Sequence, residues 1–434
     1  MEANQSYREV LRDRHVAGLL IGDLLSNVGT GMLIVAMPVQ TLSIHGDVPK
    51  AIAIGLVEAA PFVLSTVLAL FIGLGRVRIP PRTLLIADCV LRSLTLVALG
   101  VLAVTDHLTL NVLILGLLFG STFLLAGQSS RRVLATSMAG DQGRFAVNGL
   151  LGLNLTFALL VVGPVLGGVI VATTSPGVAL FFDAGGALLL LAAVFVSVPR
   201  AVKDRDALRN PLGQPEAHES GWRILRRRPV AARLLVVEFF FNFLYMPIEV
   251  ALPLFVHGTL GGDASALGLM WGALGAGAFI GALLVNQLRN LPQRQLLIAI
   301  IGLWAICPIA LALVDDLAVA MIIFGLGGLV WAPFTPVVFS FIQSGLASNE
   351  QQQVVTLWTT ISMVSAPLGL VIGGPLIALT GVIGGLVVSG VLTMLLLPIA
   401  ALAVLKRTRS PDTPAEDDAA DRSGIEKPRS SSRN

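Results

Sequence analysis

The sequence predicts an all-α polytopic membrane protein, with twelve transmembrane helices in two pseudo-symmetric six-helix bundles. Three observations carry that expectation. The 434 residues are 55% hydrophobic and 13% charged, with a mean hydropathy of +0.84, whereas a soluble domain carries about a quarter of its residues as charges. Twelve apolar blocks follow one another; at roughly 20 residues per crossing they use about 240 residues and leave the rest to loops and tails. The cations collect on alternate loops, as membrane topology requires. The same balance excludes a soluble enzyme, a nucleic-acid binder and a disordered chain, each of which needs more polar surface. The basic pI near 9.2 is an orientation signal, because the cations lie between apolar blocks.

The blocks fall near 17–43, 51–74, 83–104, 108–130, 146–172, 178–198, 232–256, 265–287, 295–314, 317–343, 353–379 and 383–405, and are numbered spans 1 to 12. Pro and paired Gly inside several of them suit membrane helices, where neighbours re-satisfy freed backbone groups. Lys and Arg number 3 in the N-tail, 3 in the 2–3 loop, 3 in the 4–5 loop (Arg131, Arg132, Arg144), 9 around the central loop, 2 in the 8–9 loop and 7 in the C-tail. A missed span would scramble this alternation, so both termini are expected in the cytoplasm. Residues 1–14 are polar and of mixed charge, and no cleavable signal peptide is expected ahead of span 1. The domain reading is an N-terminal bundle at 1–198, a cytoplasmic central loop at 199–231, a C-terminal bundle at 232–405 and a disordered tail at 406–434. The usage of 25 Arg to 4 Lys suits a GC-rich bacterial genome and hence the inner membrane.

The halves repeat each other in polar residues that hydrophobic patterning would not supply. Asp23, Asn27 and Pro38 of span 1 match Glu238, Asn242 and Pro253 of span 7 at a constant offset of 215 residues. Span 5 carries Gly163-Pro164-Val165-Leu166-Gly167-Gly168; span 11 carries Ala366-Pro367-Leu368-Gly369 and then Gly373-Gly374-Pro375. Parallel six-span repeats are the signature of a two-bundle transporter whose site lies between the repeats near mid-membrane. At 100° per residue, Glu238, Asn242, Tyr245 and Glu249 form one stripe on span 7, as do Asp23, Asn27 and Thr30 on span 1. A central charge costs about 2.5 to 3.5 kcal/mol on insertion scales, so these stripes must face water or protein.

Taken together, twelve spans, a long basic central loop and these motifs resemble the major facilitator superfamily. Within it, Gln128-Ser129-Ser130-Arg131-Arg132-Val133-Leu134, the pair Val147-Asn148, the block Gly163 to Gly168 and Gly221-Trp222-Arg223-Ile224-Leu225-Arg226-Arg227-Arg228-Pro229 resemble the drug-exporter branch that includes macrolide efflux and enterobactin export proteins. The family's 2–3 loop motif survives here in degraded form: Gly73, Arg78 and Arg82 match, while Val77 stands at the Asp position and Pro81 at an Arg position. The span-4 Arg that some drug antiporters use in proton coupling has no match within 108–128. The resemblance implies gating or structural roles for Gly73, Arg78, Arg82, Arg131, Asn148, Gly163, Pro164, Gly167 and Gly168, a bilayer setting, a small-molecule substrate, protons as coupling ion and a monomer.

Intramembrane acids are the candidate proton carriers, because a buried carboxylate exchanges protons near neutral pH. Asp23, Glu58, Glu238 and Glu249 qualify, and Asp23 with Glu249 is the preferred pair; the alternative for each is an acid reaching interfacial water. Asn27, Asn242 and Tyr245 bind substrate or bond between helices, and residue chemistry leaves both open. Asp88 and Arg92, four apart on span 3, read as a structural ion pair on one helix face. Asp183 on span 6 reads as packing against span 3 or 5. Cys89 and Cys307 sit inside apolar blocks and read as buried hydrophobes; no metal, cofactor or nucleic acid is expected.

None of the four lysines, at 50, 203, 406 and 427, follows a glycine as a phosphate-binding loop would require. A gradient must therefore drive the protein, and moving one charge through 100 mV supplies about 2.3 kcal/mol, roughly fiftyfold accumulation. The expected function is proton-coupled efflux of amphipathic small molecules by alternating access. An uptake permease of the same fold is the alternative, since gradients set direction. A membrane lipid-handling protein or enzyme is a third reading, for which the sequence offers no polar cluster at one interface.

Overall fold

The computed structural model describes residues 6–73, 76–77, 79–198, 221–288, 290–344, 346 and 348–405. Arg78, most of the central loop and the tail from 406 lie outside them. Ten helical stretches are long and apolar enough to cross a membrane. Two of these, Leu110–Thr173 with 64 residues and Gln353–Ala403 with 51, are too long for one crossing and long enough for two. Each reverses at a glycine in the left-handed region, Gly140 at φ 66° and Gly381 at φ 74°, a conformation that glycine adopts without a Cβ penalty. The ten stretches thus make twelve crossings.

Span 1 is Arg14–Ile44, span 2 Lys50–Gly73, span 3 Pro81–Val104 and span 6 Pro176–Ser197. Span 7 is Pro229–Gly258, span 8 Ala264–Leu288 and span 9 Gln293–Leu311. Span 4 joins Leu110–Gly120 to the part of Leu124–Asn154 that precedes Gly140. Its counterpart, span 10, is likewise broken, between Leu317–Trp331 and Phe334–Ser344. Span 5 runs from Gly140 through a π-helix, Leu155–Val162, into Gly163–Thr173. Spans 11 and 12 share Ser348–Met394, split at Gly381, and span 12 ends in Leu396–Leu405. A short helix, Gly221–Arg227, precedes span 7.

One boundary differs from the sequence expectation in a way that matters. The 4–5 turn is not at 131–145: the span-4 helix continues to Gly140, so Arg131 and Arg132 are helical and Arg131 is 4% exposed. The dense polar run Gln128 to Arg132 imitates a loop in composition, but its backbone stays helical because Arg131 has buried partners. Outward-facing residues such as Leu94, Phe119, Val196 and Leu379 are strongly exposed. That apolar coat suits acyl chains, against which the helices satisfy their backbone groups internally.

Following the reversals, the start of spans 1 and 7 lies on one face, here the terminal face, and the 1–2, 5–6, 7–8 and 11–12 turns on the opposite face. Contacts between the halves concentrate toward the opposite face. Span 2 packs on span 11 and span 5 on span 8, and Phe157 meets Phe279 at 5.9 Å between ring centroids.

Candidate functional site

Glycines build the seal on the opposite face. A Cβ on Gly55 would lie 2.6 Å from the Leu370 carbonyl oxygen, and one on Gly374 2.8 Å from that of Ala51. Gly168 approaches span 8 as closely, 2.7 Å from the Ala264 carbonyl oxygen, while Gly163 and Gly167 press on span 1, the latter 2.7 Å from the Met32 Cα. Without side chains at these points the backbones come together and exclude water. Pro164 is buried in the first turn of its helix, directly after the π-helix, a local widening that bends the span. The sequence motif in span 5 signalled close approach; the π-helix beside it left no signal in composition.

Beneath that seal lies a cavity of about 240 Å³ lined by Leu33, Ile34, Met37, Phe62, Leu96, Leu117 and Met246 among apolar groups, and by Thr30, Glu58, Arg92, Asp183 and Glu249 among polar ones. Glu58 comes from span 2 and Glu249 from span 7, so one carboxyl is supplied by each half. They lie close enough to interact electrostatically, and the buried Glu58 Oε2 has no hydrogen-bond partner. Glu58 stands one turn inward from Gly55, and Leu370 belongs both to the seal and to the cavity wall. Arg92 on span 3 and Asp183 on span 6 line the same cavity, and Tyr245 on span 7, though its ring packs away from the cavity, is near enough to interact electrostatically with both acids.

Asp23 does not face this cavity, which corrects its pairing with Glu249. Its carboxylate is 4% exposed and lies 3.1 Å from Arg131 of span 4. It also accepts from the amides of Asn27 at 3.2 Å and Asn154 at 3.3 Å. The same guanidinium reaches Asp88 at 3.6 Å. Arg92 turns the other way, to Asp183 at 3.9 Å, donating to Thr30 at 3.0 Å and to the Ser26 hydroxyl. Thr30 in turn donates to Asp183 at 3.1 Å. The predicted Asp88–Arg92 ion pair is therefore replaced by two pairs that cross between helices. Four-residue spacing puts both side chains on one face, but buried charges settle where several donors converge. Arg131 was placed in a loop by its neighbours; only its i−4 glycine, Gly127, packed against Asp88, marks the buried face. The resulting network holds three carboxylates and two guanidiniums.

The repeat in spans 1 and 7 has a structural counterpart. Asn242 donates to Glu238 at 3.0 Å, as Asn27 does to Asp23 four residues earlier on span 1. Span 11 adds the Ser362 hydroxyl at 3.0 Å, where span 5 adds Asn154 to Asp23. The halves diverge at the cation: Glu238 is 2% exposed and held by neutral donors, with its other oxygen unpartnered. Asn27 and Asn242 thus bond to acids on their own helices and do not line the cavity. Tyr245 lies in an aromatic cluster of the second half, 5.7 Å from Trp331 and 5.6 Å from Trp304 between ring centroids, so its ring faces the core.

The remaining motif residues are scattered. Gly73 ends span 2 and Arg82, in the first turn of span 3, sits over the Phe195 ring of span 6 at 5.5 Å; Arg78 falls outside the described residues. Asn148 donates to the Arg144 carbonyl at 2.9 Å within its own helix. Cys89 and Cys307 are buried free thiols.

The chain matches the family described as transmembrane secretion effector over residues 9–429. It is similar to the multidrug efflux pump Tap of Mycolicibacterium fortuitum, 26% identical over 407 residues and covering 91% of this chain and 96% of that protein. A multidrug efflux pump Tap of Mycobacterium tuberculosis is 26% identical over 369 residues, 82% of this chain and 86% of that protein. Among solved structures, the nucleoside transporter NupG superposes with a TM-score of 0.69 at 12% identity, covering 91% of this chain and 100% of that one. A bacterial homologue of the human lysosomal transporter Spinster, in an inward-facing and unoccupied conformation, gives 0.66 at 17% identity over 92% and 99%. At such identities the likeness to solved structures speaks for the fold. Twelve crossings in two related halves, a cavity between them and a family match across nearly the whole chain identify it as a member of the transmembrane secretion effector family, within the major facilitator superfamily.

Proposed function

We propose that this chain exports amphipathic small molecules in exchange for protons, by rocking of its two halves about the cavity that Glu58 and Glu249 share. The observation that carries this reading is that Glu58 of one half and Glu249 of the other line one largely apolar chamber under a glycine-built seal. Two like charges there repel, and a proton or a substrate cation between them relieves the repulsion. Binding either one thus acts on both halves at once, which is what coupling requires. With Asp183, the lining carries three carboxyls to one guanidinium, so amphipathic cations suit it and large anions do not.

The Tap relatives, named as multidrug efflux pumps, favour export over uptake. The charge alternation of the loops supports a cytoplasmic membrane with both termini inside. The terminal face is then cytoplasmic, and the sealed state described above is inward-facing. The chain acts as a monomer, its pathway complete between its own halves.

The test is transport by everted vesicles challenged with a panel of antibiotics and siderophores, with an uncoupler control. Glu58→Gln and Glu249→Gln should each abolish proton-driven accumulation at normal membrane abundance. Full transport in both variants would overturn the proposal.

A further inference from the structure

Besides Glu58, the first half supplies a second carboxyl to the chamber wall. Asp183 of span 6 is 1% exposed, lines the cavity beside Thr30 and Arg92, and has one buried oxygen, Oδ2, without a hydrogen-bond partner. Its pairing with Arg92 is loose: the guanidinium stands 3.9 Å away, beyond hydrogen-bond reach, and donates instead to Thr30 and to the Ser26 hydroxyl. The charges acting on Asp183 are those of Arg92, Asp88 and Arg131, whereas the charge acting on Glu58 is that of Glu249. One chamber thus holds two acidic positions that are electrostatically separate.

Behind Asp183 the charges do not balance. Arg131 lies 3.1 Å from Asp23 and 3.6 Å from Asp88, so three buried carboxylates share two guanidiniums, and an unmatched buried charge is costly. Asp88 is fully buried with both oxygens lacking hydrogen-bond partners. Of the three acids it is Asp183 that lines the chamber, so a cation arriving there neutralises the whole network. We propose that Asp183 is a subsite for a second cationic group of the substrate, the first lying at Glu58 and Glu249, so that the preferred substrates are dications. The apolar wall of Leu33, Met37 and Leu96 suits the scaffold that joins the two charges. This assignment rests on the export reading and names the substrate class of the same chamber.

The test is calorimetric titration of the purified full-length chain, in phosphatidylcholine nanodiscs and without a proton gradient. The probes are benzyltrimethylammonium and p-xylylene-bis(trimethylammonium), which share one ring and differ by one cationic group. The parent should bind the dication about tenfold tighter than the monocation, as a second charge pair away from water yields. Asp183→Asn, at the subsite, and Asp88→Asn, behind it, should each remove most of that difference. Asp88 stands outside the cavity lining, so its effect reports the charge of the network rather than a lost contact. Should Asp183→Asn melt early, Asp88→Asn alone decides. Failure of the parent to bind either cation would overturn the export reading and this inference together. Equal affinity for the two cations in the parent, or a difference that persists in Asp88→Asn or in folded Asp183→Asn, would overturn the inference alone.

Discussion

Charge counting in the first half makes a prediction about single side chains. Asp23, Asp88 and Asp183 surround Arg92 and Arg131, leaving one carboxylate charge unmatched among groups that are at most 6% exposed. Arg131→Gln would leave Asp23 and Asp88 without their cation, and breaking a buried pair in this way costs about 3 to 5 kcal/mol. Asp88→Asn removes the surplus charge instead and should leave stability nearly unchanged or raise it. Thermal unfolding of the purified variants in detergent checks the order: Arg131→Gln well below the parent, Asp88→Asn at or above it. Equal melting of all three would show that the guanidinium is not what neutralises the network. None of these partners was legible from spacing. Asp88 and Arg92 are ideally placed for each other along the helix, yet helices 1, 4 and 6 offer nearer groups, and sequence distance carries no information about which helices are neighbours.

At the level of elements, the seal rests on missing side chains. Gly168 on span 5 and Gly374 on span 11 each meet a backbone carbonyl of the other half. Gly168→Val and Gly374→Val should hold the opposite face open, because neither carbonyl can move without dragging its helix. The cavity-lining Met37 reports this as Met37→Cys, read with a membrane-impermeant maleimide applied to intact cells. The parent should label poorly, and either valine variant should label at least several times faster; the native thiols, Cys89 and Cys307, are buried. Unchanged labelling would mean that the halves separate elsewhere. The glycine block in span 5 was readable as a close-packing motif. Gly374 belongs to the Gly373-Gly374-Pro375 run of span 11, but it and the isolated Gly55 acquire their role in the seal only because spans 2 and 11 are adjacent.

For the whole molecule, alternating access requires the terminal face to close when the opposite face opens. Arg144 and Arg294 are exposed on the terminal face, one in each half, and spin labels on cysteines at these positions measure the gap. In nanodiscs, Gly168→Val should shorten that distance by several ångströms relative to the parent. Glu58→Gln with Glu249→Gln, which removes the repulsion beneath the seal, should keep it at its longest. A distance indifferent to all three substitutions would argue against rigid rocking. The repeat predicts such motion in outline: two halves with matching acids and asparagines on their first helices behave as bodies hinged about the interface between them. The match is incomplete at Arg131, so the halves are related in shape and unequal in charge.

The sequence alone determined the number of crossings, their alternation and the kinship of the halves, because hydropathy, loop charge and repeat offsets are properties read along the chain. It also placed Glu58 and Glu249 within the membrane, where an acid needs a reason. Only the tertiary structure decided that these two share a chamber while Asp23 is neutralised by Arg131, and that single glycines close the opposite face. Those outcomes depend on which helices touch, and in a membrane that choice is made by packing and by pairing of buried charge rather than by any local pattern.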